Sequence, residues 1–96
     1  MIPLLVAILM AHGEHAEFYR SLTQPGTGAS CCSEHDCRPF DDWREVGPGY
    51  AVRIEGQWHP VPPDRVLADR PNPTGHAVLC SIGSNILCFL PIGTGA

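Results

Sequence analysis

The spacing of apolar residues near the start of the chain predicts a short helix. Between His15 and Leu22, the residues Phe18, Tyr19 and Leu22 recur at helical spacing, and the pattern ends before a Gln-Pro-Gly run. The following residues, 23–30, are mostly Pro, Gly, Thr and Ser and indicate a loop. A second helical turn is expected after Pro62, because proline is tolerated in a first helical turn.

The middle of the chain has the alternation of a β-hairpin. Tyr50, Val52 and Ile54 alternate with residues that are small or charged, as in a strand with one buried face. Gly56–Gln57 is the expected turn, and residues 58–61 are the expected returning strand.

A second hairpin is predicted near the C-terminus. Its strands are residues 77–82 and residues 86–90, joined by a loop at residues 83–85. Together, the predicted elements indicate a small α+β domain that is mostly β, with two antiparallel hairpins and a short helix against one face. We expect this domain to be rich in loops and stapled by disulfides. We place this single domain at residues 12–90 and a flexible tail at residues 91–96.

The first eleven residues predict an export signal. Met1 to Ala11 is a continuous apolar run that ends where the chain becomes polar at His12. Because a membrane span needs about 20 residues, this run suits the apolar core of a signal peptide, with Leu9 and Ala11 before the cleavage site. The alternative is a buried N-terminal strand or helix. The first interpretation makes the mature protein periplasmic or secreted.

Charge composition and motifs narrow the function classes. The chain has ten acidic residues, six arginines and no lysine, for a net charge of −4. Nucleic acids and anionic membranes attract clustered positive charge, so we expect no nucleic-acid partner, and we expect no stable membrane span. The sequence also lacks the GxSxG, HExxH, GxGxxG and P-loop motifs. We therefore expect a protein that is not an enzyme and has no required cofactor.

Five cysteines indicate disulfide stabilisation. They are Cys31, Cys32, Cys37, Cys80 and Cys88. A small exported domain with few apolar residues typically relies on disulfides, and five thiols form at most two internal bridges. One cysteine must then stay free or pair with another molecule.

Two pairing arrangements are open. With residues 83–85 as the loop, Cys80 falls opposite Cys88, which favours a local bridge between them and a second from Cys37 to Cys31 or Cys32. The alternative joins Cys31 or Cys32 to the C-terminal hairpin and closes a longer loop. We favour the long-range bridge, because a domain this poor in apolar residues needs its halves tied together.

Histidines supply the candidate metal ligands. If cleavage follows Ala11, the free amine and ring of His12 can chelate Cu²⁺ while His15 adds a nitrogen. His35 lies among three cysteines in residues 31–37, a mixture that zinc would accept. The spacing is not that of a common zinc motif, so oxidised structural cysteines and a solvated N-terminus are the simpler interpretations.

Aromatic and basic side chains supply the candidate binding residues. Aromatic residues are expected to form much of the core. Exposure of Trp58 or Tyr50 on a hairpin face would instead mark a partner-binding anchor. Arg53 and Arg65 are candidates for salt bridges or for contact with an acidic ligand.

Three segments carry a resemblance to known proteins. The chain resembles a group of small exported cysteine-containing proteins of alphaproteobacteria. The segments that carry the resemblance are QPGTGASCCSEHDCRPF (24–40), WHPVPPDRVL (58–67) and the stretch from NPTGHAVLC to ILCFLP (72–91). The resemblance implies export and disulfide use, and it implies no reaction.

The function expected from the sequence is therefore binding. We expect an exported, non-enzymatic binding or interaction protein that is stabilised by disulfides and whose partner is a protein or a small ligand. The alternative is a periplasmic protein that binds Cu or Zn through its N-terminal histidines. A thiol-dependent enzyme is the third alternative.

Overall fold

The computed structural model describes residues 16–31 and 36–92, which form a short helix and two three-stranded antiparallel sheets. Sheet I has the strand order β1–β5–β6 and sheet II the order β2–β3–β4. The elements are α1 (Ala16–Arg20), β1 (Cys37–Pro39), β2 (Trp43–Val46), β3 (Gly49–Ile54), β4 (Gln57–Pro60), a 3-10 turn (Pro63–Arg65), β5 (Val78–Ile82) and β6 (Asn85–Leu90). The expected mostly β architecture is confirmed. Each predicted hairpin, however, is extended by a third strand.

Several predictions fall outside the described residues. They are the signal peptide at residues 1–11, the candidate ligands His12, His15 and His35, Cys32, and residues 93–96 of the tail. Within the described ranges, no helix combines the length and the apolar character that crossing a membrane would need.

The helix α1 forms where the sequence predicts it and ends earlier. The helix ends at Arg20: Ser21 N donates both to Glu17 O and to Phe18 O, and Leu22 N donates to Tyr19 O, which tightens the last turn. Tyr19 and Leu22 are both buried against sheet I. Burial raises the pKa of the Tyr19 phenol, so the ring remains neutral to a higher pH than in the unfolded chain.

Sheet II contains the first predicted hairpin, with its turn one residue earlier than expected. The turn residues are Glu55 and Gly56, which have φ values of 52° and 79°. Two central residues of positive φ define a type I′ turn, which matches the twist of the flanking strands. Gln57, predicted to lie in the turn, is therefore the first residue of β4 and pairs with Ile54.

Sheet I contains the second predicted hairpin, and its loop is also shorter than expected. The turn is Gly83–Ser84, so Asn85 belongs to β6 and pairs with Ile82. A bulge then shifts the register, because Ser81 pairs with Ile86 whereas Cys80 pairs with Cys88. The prediction that Cys80 lies opposite Cys88 on the neighbouring strand is confirmed. This register is produced by a tight turn and a bulge and not by the three-residue loop that was expected.

Sheet I lies between the helix and sheet II and is buried on both faces. This explains the nearly unbroken apolar runs of β5 and β6, since a strand covered on both sides has no polar face. The face towards α1 carries Val78, Cys80, Cys88 and Leu90, and the face towards sheet II carries Leu79 and Phe89.

Two disulfides join distant parts of the chain across sheet I. Cys31 bonds to Cys88 and Cys37 to Cys80, at sequence separations of 57 and 43 residues. The preference for a long-range bridge is confirmed, and the local bridge between Cys80 and Cys88 is wrong. The reason is that β1 pairs with β5, which gives Cys80 a second cysteine opposite it. The two bridges use four cysteines and leave Cys32 in neither.

Candidate functional site

Trp58 is a large apolar side chain that the fold leaves open to solvent. It pairs with Arg53 across β3 and β4, so both side chains project from the same face of sheet II. The opposite face, which carries Val52, packs against sheet I. Trp58 keeps 36% of its surface exposed. We call the solvent side of sheet II the outer face.

The indole of Trp58 reaches across the middle strand and meets an arginine on the far side. The Arg44 guanidinium carbon lies 4.1 Å from the centroid of the indole ring, although Arg44 is on β2 and Trp58 on β4. Ala51, which lies between them on β3 and pairs with Arg44, is only 7% exposed on this otherwise open face. Because this alanine side chain is small, the longer side chains of Arg44 and Trp58 can meet across β3.

The second arginine of the outer face already has an acidic partner. Arg53 donates from Nε to Oδ2 of Asp42 over 3.0 Å, and its backbone N–H donates to the Asp42 carbonyl over 2.8 Å. Both side chains are about half exposed, so this ion pair contributes little to stability. The Arg53 guanidinium carbon lies 5.6 Å from the Trp58 ring centroid, so both arginines flank the indole.

Arg44 differs from Arg53 in having no acidic partner among residues 16–31 and 36–92. Its contact there is the stack on Trp58, which leaves the N–H groups at the rim of the guanidinium available. Asp42 neutralises Arg53, so the outer face has an excess of one positive charge in a chain whose net charge is −4. This arrangement can accept a carboxylate or another planar anion.

Tyr50, the other predicted binding residue, does not share this face. Its ring lies 5.5 Å from the Phe89 ring and 5.9 Å from the Trp43 ring, centroid to centroid, on the side of sheet II that packs against sheet I. The residue is half-buried. It also lines a shallow groove of about 420 Å³ together with Pro48, Gly49, Val61, Pro63, Val66 and Ala68. Trp58 and Tyr50 therefore belong to two surfaces, not to one site.

The two predicted arginines have separate roles. Arg53 forms the salt bridge with Asp42. Arg65 donates from Nη1 to the Ile86 carbonyl over 2.9 Å, with Asp64 Oδ1 at 3.8 Å from its Nε. Arg65 thus fastens the 3-10 turn to β6 and lies away from Trp58.

Arg44 was missed because β2 was missed. The segment Asp42-Trp43-Arg44-Glu45-Val46 precedes a Gly-Pro-Gly turn, but its apolar residues, Trp43 and Val46, are three positions apart and do not show the period of two that indicates a strand. The run has only four strand residues and one of its apolar residues, Val46, is 50% exposed. A pattern this short is weak without its partner strand.

The metal-site predictions remain predictions, because His12, His15 and His35 lie outside the described residues. Of the described histidines, His59 is partly buried and His76 is exposed with its Nδ1 at 3.9 Å from Asp41 Oδ1. In the part of the chain that the structure covers, three or more His, Cys, Asp or Glu side chains do not gather in a metal-binding group.

Known proteins offer no guide to the use of this site. The chain matches no protein-family model, no curated protein and no solved structure at a significant level.

Proposed function

We propose that this chain is an exported, non-enzymatic binding protein whose partner contacts the outer face of sheet II. The observation that carries the proposal is the exposed indole of Trp58, with the Arg44 guanidinium stacked on it. Tryptophan and arginine are the side chains most enriched at the centres of binding interfaces. A tryptophan kept at the surface in a fixed orientation is suited to act as such an anchor.

Stability alone does not account for this arrangement. An exposed cation–π pair contributes only about 0.5–1 kcal/mol, while the indole still presents much of its apolar surface to water. The same face also exposes Pro60, two residues from Trp58 on β4, and Val46 at the far end of β2. Exposed apolar side chains that alternate with arginines have the composition of a binding surface.

The disulfides support the export part of the proposal. All four bonded cysteines are buried, and their bridges join Cys31 to β6 and β1 to β5. Such bonds persist in oxidising compartments and are rare in the cytosol. The same bridges keep a small domain rigid enough to present a flat sheet face.

The test is site-specific photo-crosslinking. A photoreactive phenylalanine analogue replaces Val46 on the outer face or, as a matched control, Ile82 at the exposed tip of the β5–β6 hairpin. We expect a discrete crosslinked product from position 46, found in the periplasmic or secreted fraction of the producing cells and lost when Trp58→Ala is added.

The Trp58→Ala variant must keep both disulfides and its cooperative unfolding for the comparison to hold. Equal crosslinking from positions 46 and 82, or a product that survives Trp58→Ala in the folded protein, would remove the outer face as the binding surface. A product confined to the cytosolic fraction would contradict export.

A further inference from the structure

Within residues 16–31 and 36–92, no strand pairs with the outer edge of β2, so sheet II presents unpaired backbone groups there. Arg53 N–H donates to the Asp42 carbonyl, so Asp42 and Arg53 form a hydrogen-bonded pair. Bonded and non-bonded pairs alternate along antiparallel strands. Trp43 and Glu45 are consequently in non-bonded pairs with β3, and their N–H and C=O groups point away from it, towards the open edge.

The other edges of the two sheets are less able to accept a strand. On β4 and β1, Pro60 and Pro39 have no N–H to donate, which is how proline protects an edge. On β6, the chain after the 3-10 turn covers the edge, where Leu67 N–H donates to the Phe89 carbonyl over 2.8 Å and Val66 forms a bridge with Phe89. Among these four edges, the one along β2 is the most open to an added strand.

We propose that the partner is an acidic polypeptide segment in extended conformation, which adds to β2 as a fourth strand of sheet II and places a carboxylate against Arg44. This inference rests on the proposed binding function and names the class of partner. Strand addition obtains affinity from the backbone hydrogen bonds and specificity from alternate side chains. The groups of Trp43 and Glu45 supply the hydrogen bonds.

The side chains beside this edge determine which sequences fit. A residue directly opposite Arg44 projects from the outer face, so an acidic side chain there forms an opposite-charge pair across the strands. Two residues along, the exposed side chain of Val46 favours an apolar partner. On the other face, Glu45 disfavours an acidic residue opposite it. The expected motif is therefore an acidic residue and an apolar residue, separated by one residue that is not acidic.

A polypeptide fits this site better than a membrane surface. Anionic headgroups could contact Arg44, but they do not supply the alternating donors and acceptors that the β2 edge requires. With Arg53 neutralised by Asp42, the face offers a single unpaired positive charge, which is too little for a membrane surface. Anionic vesicles are accordingly the competing probe in the test.

The probe is the capped heptapeptide Thr-Val-Thr-Glu-Thr-Val-Thr, which presents the motif in either strand direction. It is titrated into the mature disulfide-bonded protein and followed by amide chemical shifts and hydrogen exchange. We expect the amide protons of Trp43 and Glu45 to gain protection. The amide protons of Arg44 and Val46 already point at β3, so their protection should change little.

Three comparisons test the role of charge. The peptide with Gln in place of Glu should bind about fivefold more weakly. Arg44→Gln should remove that difference, whereas Arg53→Gln, which affects an arginine already paired with Asp42, should preserve it. The Glu peptide should also reduce the crosslink from position 46.

The inference is overturned if both peptides bind equally, if neither produces shifts at β2, or if phosphatidylglycerol vesicles bind in an Arg44-dependent way while the peptides do not. These failures are distinct from a failure of the proposed function. In each of them a Trp58-dependent crosslink to a protein can persist, which would retain the outer face as a binding surface and reject the acidic strand.

Discussion

Phe89 is the side chain that joins the two sheets. It is completely buried on sheet I, and its ring centroid lies 5.6 Å from that of Trp43 and 5.5 Å from that of Tyr50, both on sheet II. Tilted aromatic contacts of this kind add to the free energy gained by burying the rings. The orientation of sheet II, and hence the exposure of its outer face, depends on this cluster.

We expect Phe89→Ala to lower the free energy of unfolding by about 3–5 kcal/mol, because the surrounding rings cannot fill the cavity. Urea unfolding followed by tryptophan fluorescence measures the change. Ile82→Ala is the control, since Ile82 is 57% exposed and its truncation should change stability by less than about 0.5 kcal/mol. Similar losses in the two variants would show that Phe89 does not organise the core.

Tight turns determine the register of both predicted hairpins. The type I′ turn of sheet II requires a positive φ at two successive positions, and Glu55 occupies the first of them with φ 52°. Glutamate has no side-chain feature that favours this conformation, whereas asparagine tolerates it well. The β3–β4 turn therefore carries a local strain that the sequence could relieve.

We expect Glu55→Asn to raise the free energy of unfolding by about 0.5–1 kcal/mol, through relief of the left-handed conformation. Thermal and urea unfolding of the oxidised protein measure it. Gly56→Ala is the opposing control: at φ 79° an added Cβ should destabilise the turn by about 1 kcal/mol. A destabilised Glu55→Asn variant would mean that the glutamate makes a contact that outweighs the strain.

The two long-range disulfides hold the whole molecule together. In the chain-entropy model, closing loops of this length contributes about 4 kcal/mol for each bridge. That is a large share of the stability of a domain of this size. The bridges also join Cys31 to β6 and reinforce the pairing of β1 with β5, which extends over only three residues.

We expect the double replacement Cys31→Ser with Cys88→Ser to lower the free energy of unfolding by about 4 kcal/mol. Cys32→Ser is the control: it affects neither bridge, so it should leave the stability nearly unchanged. Non-reducing peptide mapping checks the pairing itself. Cleavage after Glu34 separates Cys31 from Cys37, and cleavage after Leu87 separates Cys80 from Cys88. A peptide that joins Cys80 to Cys88 would contradict the pairing seen in the structure.

The elements with strong local signals could be recognised from the chain alone. The helical spacing of Phe18, Tyr19 and Leu22 was sufficient for α1, and the alternation from Tyr50 to Ile54 beside a glycine turn was sufficient for the β3–β4 hairpin. These signals lie within a few residues of each other, because side-chain periodicity and turn conformation are local properties. The need for disulfides likewise followed from five cysteines in a small domain with few apolar residues.

Contacts between residues far apart in the sequence decided the remaining features. These are the strands β1 and β2, the disulfide pairing and the exposure of Trp58. Cys37 pairs with Cys80 across β1 and β5, and no short stretch of sequence encodes that neighbour. The alternation of side chains along the strands assigns Trp58 and Arg53 to the same face of a sheet. Whether that face is buried depends on which face of sheet II packs against Phe89 of sheet I. Burial is a property of the assembled layers, and the packing of sheet II on sheet I leaves Trp58 exposed and Tyr50 half-buried against the core.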